Sequence, residues 1–414
     1  MATNQASDGT TPGFPSGRLA GLDALRGGAM LLGILLHAAM AYMPTRIPHM
    51  LWPVLDDQTS WSCDVIYWGA HTFRLPLFFF LSGFLTEQLF QARGARAFLD
   101  QRIRRLAIPY AVSLGTVLPL TFAVWTMGWI IAGRCTLEEA LNPLIPFEPD
   151  LEANYFNPAH LWFLIDLMIF NGIYFLKRQE SPEAANTEQN GRVWRMGAWW
   201  TPLVLAAPAA MLLWGSTSPV TEFHNSFLPN SERLLYYGLY FSVGTMAYRT
   251  RDVFFGAIQS SKRHLLGASL AIAISLVFLE PVVAGTSGLW SRCAFSWSVA
   301  LAAWFSILGL MGTVLKHVRG DNAQLRYIAD SSYWMFLIHF PLVGLTHIAL
   351  RPIDWVPELK MLTAFGVTVL MGLGSYHVFV RYTVLGWYLH GRRERRPVPR
   401  VEHDAAQAGI RRAA

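Results

Sequence analysis

Apolar stretches recur along the whole chain, near residues 19–43, 65–90, 107–132, 160–176, 197–214, 233–248, 265–284, 293–315, 328–350 and 359–388. A helix that crosses a bilayer needs about 20 predominantly apolar residues. Ten such helices take about 200 residues, and a chain of 414 leaves room for the connections. Charged residues make up only 14% of the chain, against about 25% in a soluble domain. This excludes an ordinary soluble enzyme, a disordered protein and a collagen-like fibre. The pattern predicts an all-α integral membrane bundle of about ten transmembrane helices. The stretch at 359–388 is too long for one perpendicular span, so its last part is expected along the interface. Residues 1–17 read as a loose polar tail; they lack the basic start and short apolar core of a signal peptide. The expected organisation is that tail, one membrane domain over 18–390 and a basic tail over 391–414.

The basic residues give the bundle its sides. Of 33 Lys and Arg, 24 fall on alternate connections and the carboxyl-terminal tail, among them Arg18, Arg102, Arg105, Lys177, Arg178, Arg249, Lys316, Arg319 and Arg326. The opposite connections hold Arg46, Arg134, Arg292, Arg351 and Lys360, with Arg233 near a span end. The positive-inside bias then puts both termini in the cytoplasm, which requires an even number of spans. It also disposes of nucleic acid as a partner, because the net charge of +6 is spread over loops rather than gathered in a binding face. The expected location is the cytoplasmic (inner) membrane, and the lipid bilayer is the first partner. Of the three cysteines, Cys63 and Cys135 lie on the outer side, where a disulfide is permitted.

An ionisable side chain inside a span is costly, so it is a functional candidate. Arg26 and His37 are eleven residues apart in the first span. They share a helix face and are separated by about 16 Å along the axis. Asp23, one turn before Arg26, is placed to pair with it. His71 and Arg74 share a face of the second span, with His71 at the depth of His37 and Arg74 one turn deeper. His160 and Trp162 open the fourth span, and His339 lies in the ninth. The plain alternative for each is a structural ion pair or a satisfied core histidine. Arg102 and Arg105, at the cytoplasmic mouth of the third span, suit bidentate phosphate binding or simple lipid headgroup contact. Ser82 and Gly83 read as helix-packing residues, since small residues let membrane helices approach. Outer tryptophans such as Trp52 and Trp162 suit an interface belt or stacking on a sugar ring. Asp166, Glu280 and His377 have no role readable from sequence.

Taken together, LDALRG at 22–27, His37, FFFLSGFL at 78–85, RIRRLAIPY at 102–110, HLWFL at 160–164 and SSYWMFLIHFPLV at 331–343 resemble the acyltransferase-3 family of membrane acyltransferases. The wording around HTFRLPLFFFLSGF is most similar to the branch of periplasmic glucan succinyltransferases. The resemblance implies transfer of an acyl group, succinyl or acetyl, from cytoplasmic acyl-CoA to a hydroxyl of an extracytoplasmic glycan. The family's arginine and histidine of the first helix match Arg26 and His37, and its basic pair matches Arg102 and Arg105. The branch's histidine and arginine match His71 and Arg74. Many members add a soluble esterase-like domain at the carboxyl end. Here only the basic tail is expected, so the membrane domain or an envelope glycan-synthesis partner would engage the acceptor. The implied layout has Arg102 and Arg105 on the CoA phosphates, Arg26 along the pantetheine path, and His160, Trp162 and His339 on substrate. His37 then acts either as general base or as the acylated group. His71 orients the substrates, and Arg74 holds either the oxyanion or a free carboxylate of the acyl group. No metal is expected. A transporter or glycan flippase, or a membrane scaffold, are the rival readings.

Overall fold

The computed structural model describes residues 20–47, 50–142, 145, 147–155, 157–180, 191–216, 226–318 and 322–390. The expected tails at 1–17 and 391–414, and Arg18 and Arg319 of the charge count, lie outside the described residues. Among the described residues the chain is helical and has no strand.

Helix α1 (Ala20–Ala39) ends in a 3-10 turn, Met40–Tyr42. After a loop, α2 (Trp61–Arg102) runs through a π-helical turn, Ile103–Ala107, into α3 (Ile108–Gly115). Gly94 breaks α2 with φ 74° and ψ 176°, a left-handed conformation that costs least where there is no β-carbon. A 41° bend near Thr116 leads to α4 (Val117–Ile131). The short α5 (Leu137–Leu141) and α6 (Pro149–Tyr155) precede a 3-10 turn at Ala159–Leu161 and α7 (Trp162–Glu180). Next come α8 (Trp200–Gly215), α9 (Ser231–Arg249), α10 (Arg251–Ala257), α11 (Ser261–Val277) and α12 (Leu279–Val283). The chain closes with α13 (Leu289–His317), α14 (Ala323–Leu350), α15 (Pro357–Ser375) and α16 (Val384–His390). Asn230 and Asn322 cap α9 and α14, each accepting two backbone N–H bonds at 2.8–3.2 Å, which satisfies donors no helix can pair internally.

Each of the ten apolar stretches is largely helical, but they are not equal. Among the described residues, five helices are long and apolar enough to cross a membrane, and a sixth joins them if the bent pair 61–115 and 117–131 counts as one span. The stretch at 233–248 falls in α9, which is bounded by Glu232, Arg233 and Arg249. The stretch at 265–284 is broken at Phe278 into α11 and α12. The long stretch at 359–388 also breaks, at 381–383, into α15 with its π turn and α16. The molecule is therefore a multi-pass, all-helical membrane protein. Cys63, Cys135 and Cys293 are all free thiols.

Close helix crossings organise the bundle. A β-carbon on Gly83 of α2 would overlap the Phe241 carbonyl oxygen, and one on Gly244 of α9 would overlap the Phe80 carbonyl oxygen. The two backbones touch through a glycine on each side, as small residues permit in a membrane interior. Helix α14 ties several parts of the bundle together. Its Ala329 lies against Gly27 of α1, and its Tyr333 hydroxyl donates to the Arg105 carbonyl at 2.8 Å. Farther along, its His339 meets His37. Arg26 and Arg105 thus share one end of the bundle, and the imidazoles gather toward the other.

Gly83→Ala is expected to destabilise the purified protein by about 1–3 kcal/mol, the cost of overpacking. Gly28→Ala, where a β-carbon meets nothing within 4 Å, should raise stability by about 1 kcal/mol through helix propensity. Thermal unfolding in detergent checks both signs.

Candidate active site

Pro341 sits inside α14. Proline has no N–H, so the carbonyl four residues earlier loses its helical partner. That carbonyl is Leu337, and His160 Nε2 lies 2.9 Å from it. A carbonyl only accepts, so His160 donates through Nε2. Its Nδ1 is buried and has no partner among the described residues. The backbone leading to His160 is held as tightly. Asn157 Oδ1 accepts from Ala159 N at 2.7 Å, and its Nδ2 donates to the Asn154 carbonyl at 2.6 Å. Ala159 has φ 46°, an uncommon left-handed conformation for a residue with a β-carbon.

Two more imidazoles join His160. His339 Nδ1 donates to the Phe336 carbonyl at 2.7 Å. His37 Nδ1 lies 3.3 Å from Met40 Sδ, a weak acceptor. The ring centroids of His37 and His339 are 5.2 Å apart, and those of His160 and His339 are 5.1 Å apart. Phe340 packs against all three at 4.9–5.9 Å. Each imidazole commits one ring N–H to the scaffold, which leaves its other nitrogen as a base.

These rings line a cavity of about 1080 Å³, part of it open to solvent. Arg74, Trp52 and Trp162 line it too. Arg74 is only 8% exposed, and it fits because Gly33 of α1 has no side chain: a β-carbon there would stand 2.7 Å from Arg74 Nη1. Trp162 is held from one side by the Arg233 guanidinium, 4.4 Å from its ring centroid. Arg233 in turn forms a buried two-point ion pair with Asp166, at 2.9 and 3.1 Å. That gives Asp166 a partner: it fixes Arg233 beneath Trp162. Glu280 and His377 are exposed and away from the cavity.

The other sequence candidates are distributed differently. His71 does not line the cavity; its ring stacks on Tyr67, which does, at 5.6 Å. Arg26 pairs with Asp23 at 3.4 Å and lies at the opposite end. Arg102 and Arg105 are there as well, Arg102 bonded through Nη2 to Thr86 Oγ1 at 2.7 Å.

The loop between α1 and α2 closes on the site through contacts that the sequence pattern does not signal. Leu51 N donates to Asn154 Oδ1 at 3.2 Å, Trp125 Nε1 to the Leu51 carbonyl at 3.2 Å, and Lys360 Nζ to Asp56 Oδ2 at 2.6 Å. Trp52 Nε1 donates to His347 Nδ1 at 2.7 Å, and His347 Nε2 lies 3.1 Å from the Ala38 carbonyl. Both nitrogens of His347 are therefore engaged, so it is a strut rather than a base. The indole of Trp52 lies parallel to the His37 ring, 5° between planes and 6.1 Å between centroids. Nothing in the local pattern around 43–60 signals these contacts. Pro341 was legible, four residues after Leu337.

A family model described as an acyltransferase domain, that of the acyltransferase-3 family, matches residues 19–380. The chain belongs to the acyltransferase-3 family. Among curated relatives of this acyltransferase is the glucans biosynthesis protein C of Salmonella paratyphi B. It is 24% identical over 329 residues, which cover 78% of this chain and 81% of the relative. The protein of the same name from Salmonella schwarzengrund is 24% identical over 333 residues, with the same shares covered. No solved structure matches. Among the described residues, no group of three or more His, Cys, Asp or Glu side chains is arranged to hold a metal ion.

Pro341→Ala restores an N–H that competes with His160 for the Leu337 carbonyl. In an isolated helix this change stabilises by about 3 kcal/mol. The expected outcome is a melting temperature that is unchanged or higher, with acyl transfer at least about tenfold slower. Full activity in the stabilised variant would mean that the proline has no part in placing His160.

Proposed function

We propose that this acyltransferase moves an acyl group, succinyl or acetyl, from acyl-CoA on the cytoplasmic side to a hydroxyl of an extracytoplasmic glycan, working in the inner membrane. The observation that carries the reading is the half-enclosed cavity in which His37, His160, His339 and Arg74 converge. It lies at the end of the bundle opposite Arg26, Arg102 and Arg105. The names of the relatives support a glucan as the acceptor class. In this reading the chain crosses the membrane ten times with both termini in the cytoplasm: α2 and the α3–α4 segment cross separately, and the shorter helices α8 and α9 and the broken α11–α12 pair complete the count.

His37 is the general base. With Nδ1 directed at Met40, its Nε2 takes the proton of the acceptor hydroxyl as the oxygen attacks the thioester carbonyl. The C–S bond then breaks, and the CoA thiolate leaves and takes up a proton. Arg74 neutralises the oxyanion that forms at the carbonyl, or pairs with the free carboxylate of a dicarboxylic acyl group. His160 and His339 hold the acceptor through their remaining nitrogens, and Trp162 and Trp52 supply aromatic walls suited to a sugar. His71 is a positioning residue that acts through Tyr67. Arg102 and Arg105 hold the CoA phosphates. Arg26 and His37, about 16 Å apart on one helix face, span a distance comparable to the pantetheine arm.

The test is transfer of labelled succinyl or acetyl from CoA to a periplasmic glycan extract by the purified protein. His37→Ala is expected to lower the rate by about 10²–10⁴-fold, the usual contribution of a general base, with the melting temperature retained. Transfer at the wild-type rate in that variant would sink the assignment. Arg74→Ala is expected to lower succinyl transfer more than acetyl transfer. Equal loss on both donors would leave Arg74 with the oxyanion and remove any role in choosing the acyl group.

A further inference from the structure

A second cluster of charge lies at the other end of the bundle. Glu87 of α2 is fully buried. Its Oε2 accepts from Tyr174 Oη at 2.9 Å and from Arg249 at 2.8 Å, through both Nε and Nη2. Its Oε1 accepts from Gln91 Nε2 at 2.8 Å and, more distantly, from Arg178 Nη2 at 3.3 Å. One residue earlier, Thr86 Oγ1 accepts from Arg102 Nη2 at 2.7 Å and donates to Asn171 Oδ1 at 3.0 Å. Asn171 Nδ2 donates to the Leu167 carbonyl at 2.7 Å, which fixes the direction of that chain.

The charges do not balance. Among the described residues, Arg178 and Arg249 share the carboxylate of Glu87, and Arg102 bonds the neighbouring Thr86. Arg249 gives two donors to Glu87 and so offsets most of its charge, while Arg178 keeps one long contact. The guanidinium carbons of Arg102 and Arg178 lie 5.2 Å over the rings of Phe98 and Phe90, and these two rings are themselves 5.6 Å apart. The Nε atoms of both arginines are buried without an acceptor among the described residues. A buried guanidinium donor without an acceptor is costly, and an anion with several oxygens is the natural remedy. Two half-enclosed guanidiniums, each braced on an aromatic ring and each with an unmatched donor, make a phosphate clamp.

We infer that Arg178 joins Arg102 in binding a phosphate group of the donor's nucleotide, with Glu87, Arg249 and Tyr174 holding Arg178 in position. This rests on the acyl-CoA reading above and adds a residue that the basic motif at 102–105 does not contain. The shared chemistry is a phosphate oxygen, which a lipid headgroup also carries, so the experiment separates the two.

The full-length protein in detergent is offered succinyl-CoA or the phosphate-free succinyl-pantetheine, with the glycan extract as acceptor. The wild type is expected to favour the CoA thioester in kcat/KM. Arg178→Gln is expected to shrink that preference by about tenfold or more. Arg178→Lys, which keeps the ion pair with Glu87 but loses the fork of donors, should fall between. In parallel, binding of adenosine 3′,5′-bisphosphate is measured by calorimetry and is expected to weaken by a similar factor in Arg178→Gln. Equal loss on both thioesters, with nucleotide binding intact, would make Arg178 structural and overturn the inference. Unchanged nucleotide binding with lost stabilisation by added anionic lipid would also overturn it, in favour of a headgroup. If the wild type transfers from neither donor, the proposed reaction falls, and nucleotide binding still decides the claim for Arg178.

Discussion

A missing N–H at Pro341 sets the site. It frees the Leu337 carbonyl in the middle of a buried helix, where no water is at hand to satisfy it. His160 supplies the donor, and the strained turn at Asn157–Ala159 delivers His160 to it. Once that ring is docked, Phe340 and His339 on the same helix have a neighbour to pack against, and His37 closes the group from α1. Helix α14 thereby carries the site on its middle turns. Its earlier turns hold α1 and the Arg105 end of the chain, and its later turn holds the loop between α1 and α2 through His347 and Trp52.

The remaining buried charge follows one rule in two ways. Where the charge is structural it is matched: Asp166 and Arg233 meet at two points and join α7 to α9, the geometry that makes a buried pair tolerable. Elsewhere the arrangement differs. Arg74 lines a cavity with three imidazoles, and the Nε atoms of Arg102 and Arg178 are buried with no acceptor among the described residues. These two places lie at opposite ends of the bundle. The glycine contact between Gly83 and Gly244 matters here because it brings α2 and α9 close enough for Arg249 to reach Glu87.

Much of the site was readable because membrane burial makes ionisable residues conspicuous. His37, Arg74, His160 and His339 stood out as charges or imidazoles in apolar runs, and the helical rise placed His37 and His71 at one depth. Depth is not direction, however. His71 faces Tyr67 instead of the cavity, a fact fixed by the rotation of α2 against α1, which no single helix encodes. Asp166 and Arg233 are 67 positions apart in sequence, so their pairing was equally hidden. The span count was the harder part. Apolar runs such as 265–284 read as continuous, but the backbone breaks them, and among the described residues five or six helices meet the length and apolarity of a full crossing.

The sequence by itself determined that this chain is an all-helical membrane protein of the acyltransferase-3 kind, because hydrophobic run length and the cost of buried charge act locally and leave their mark in composition and spacing. Only the tertiary structure decided which of the candidate side chains share a cavity, which are neutralised by partners, and how the described residues between α1 and α2 reach the imidazoles. Those outcomes depend on helix rotation and on contacts such as Trp52 with His347, 295 residues apart. Packing of that range is settled by the fit of whole helices against one another.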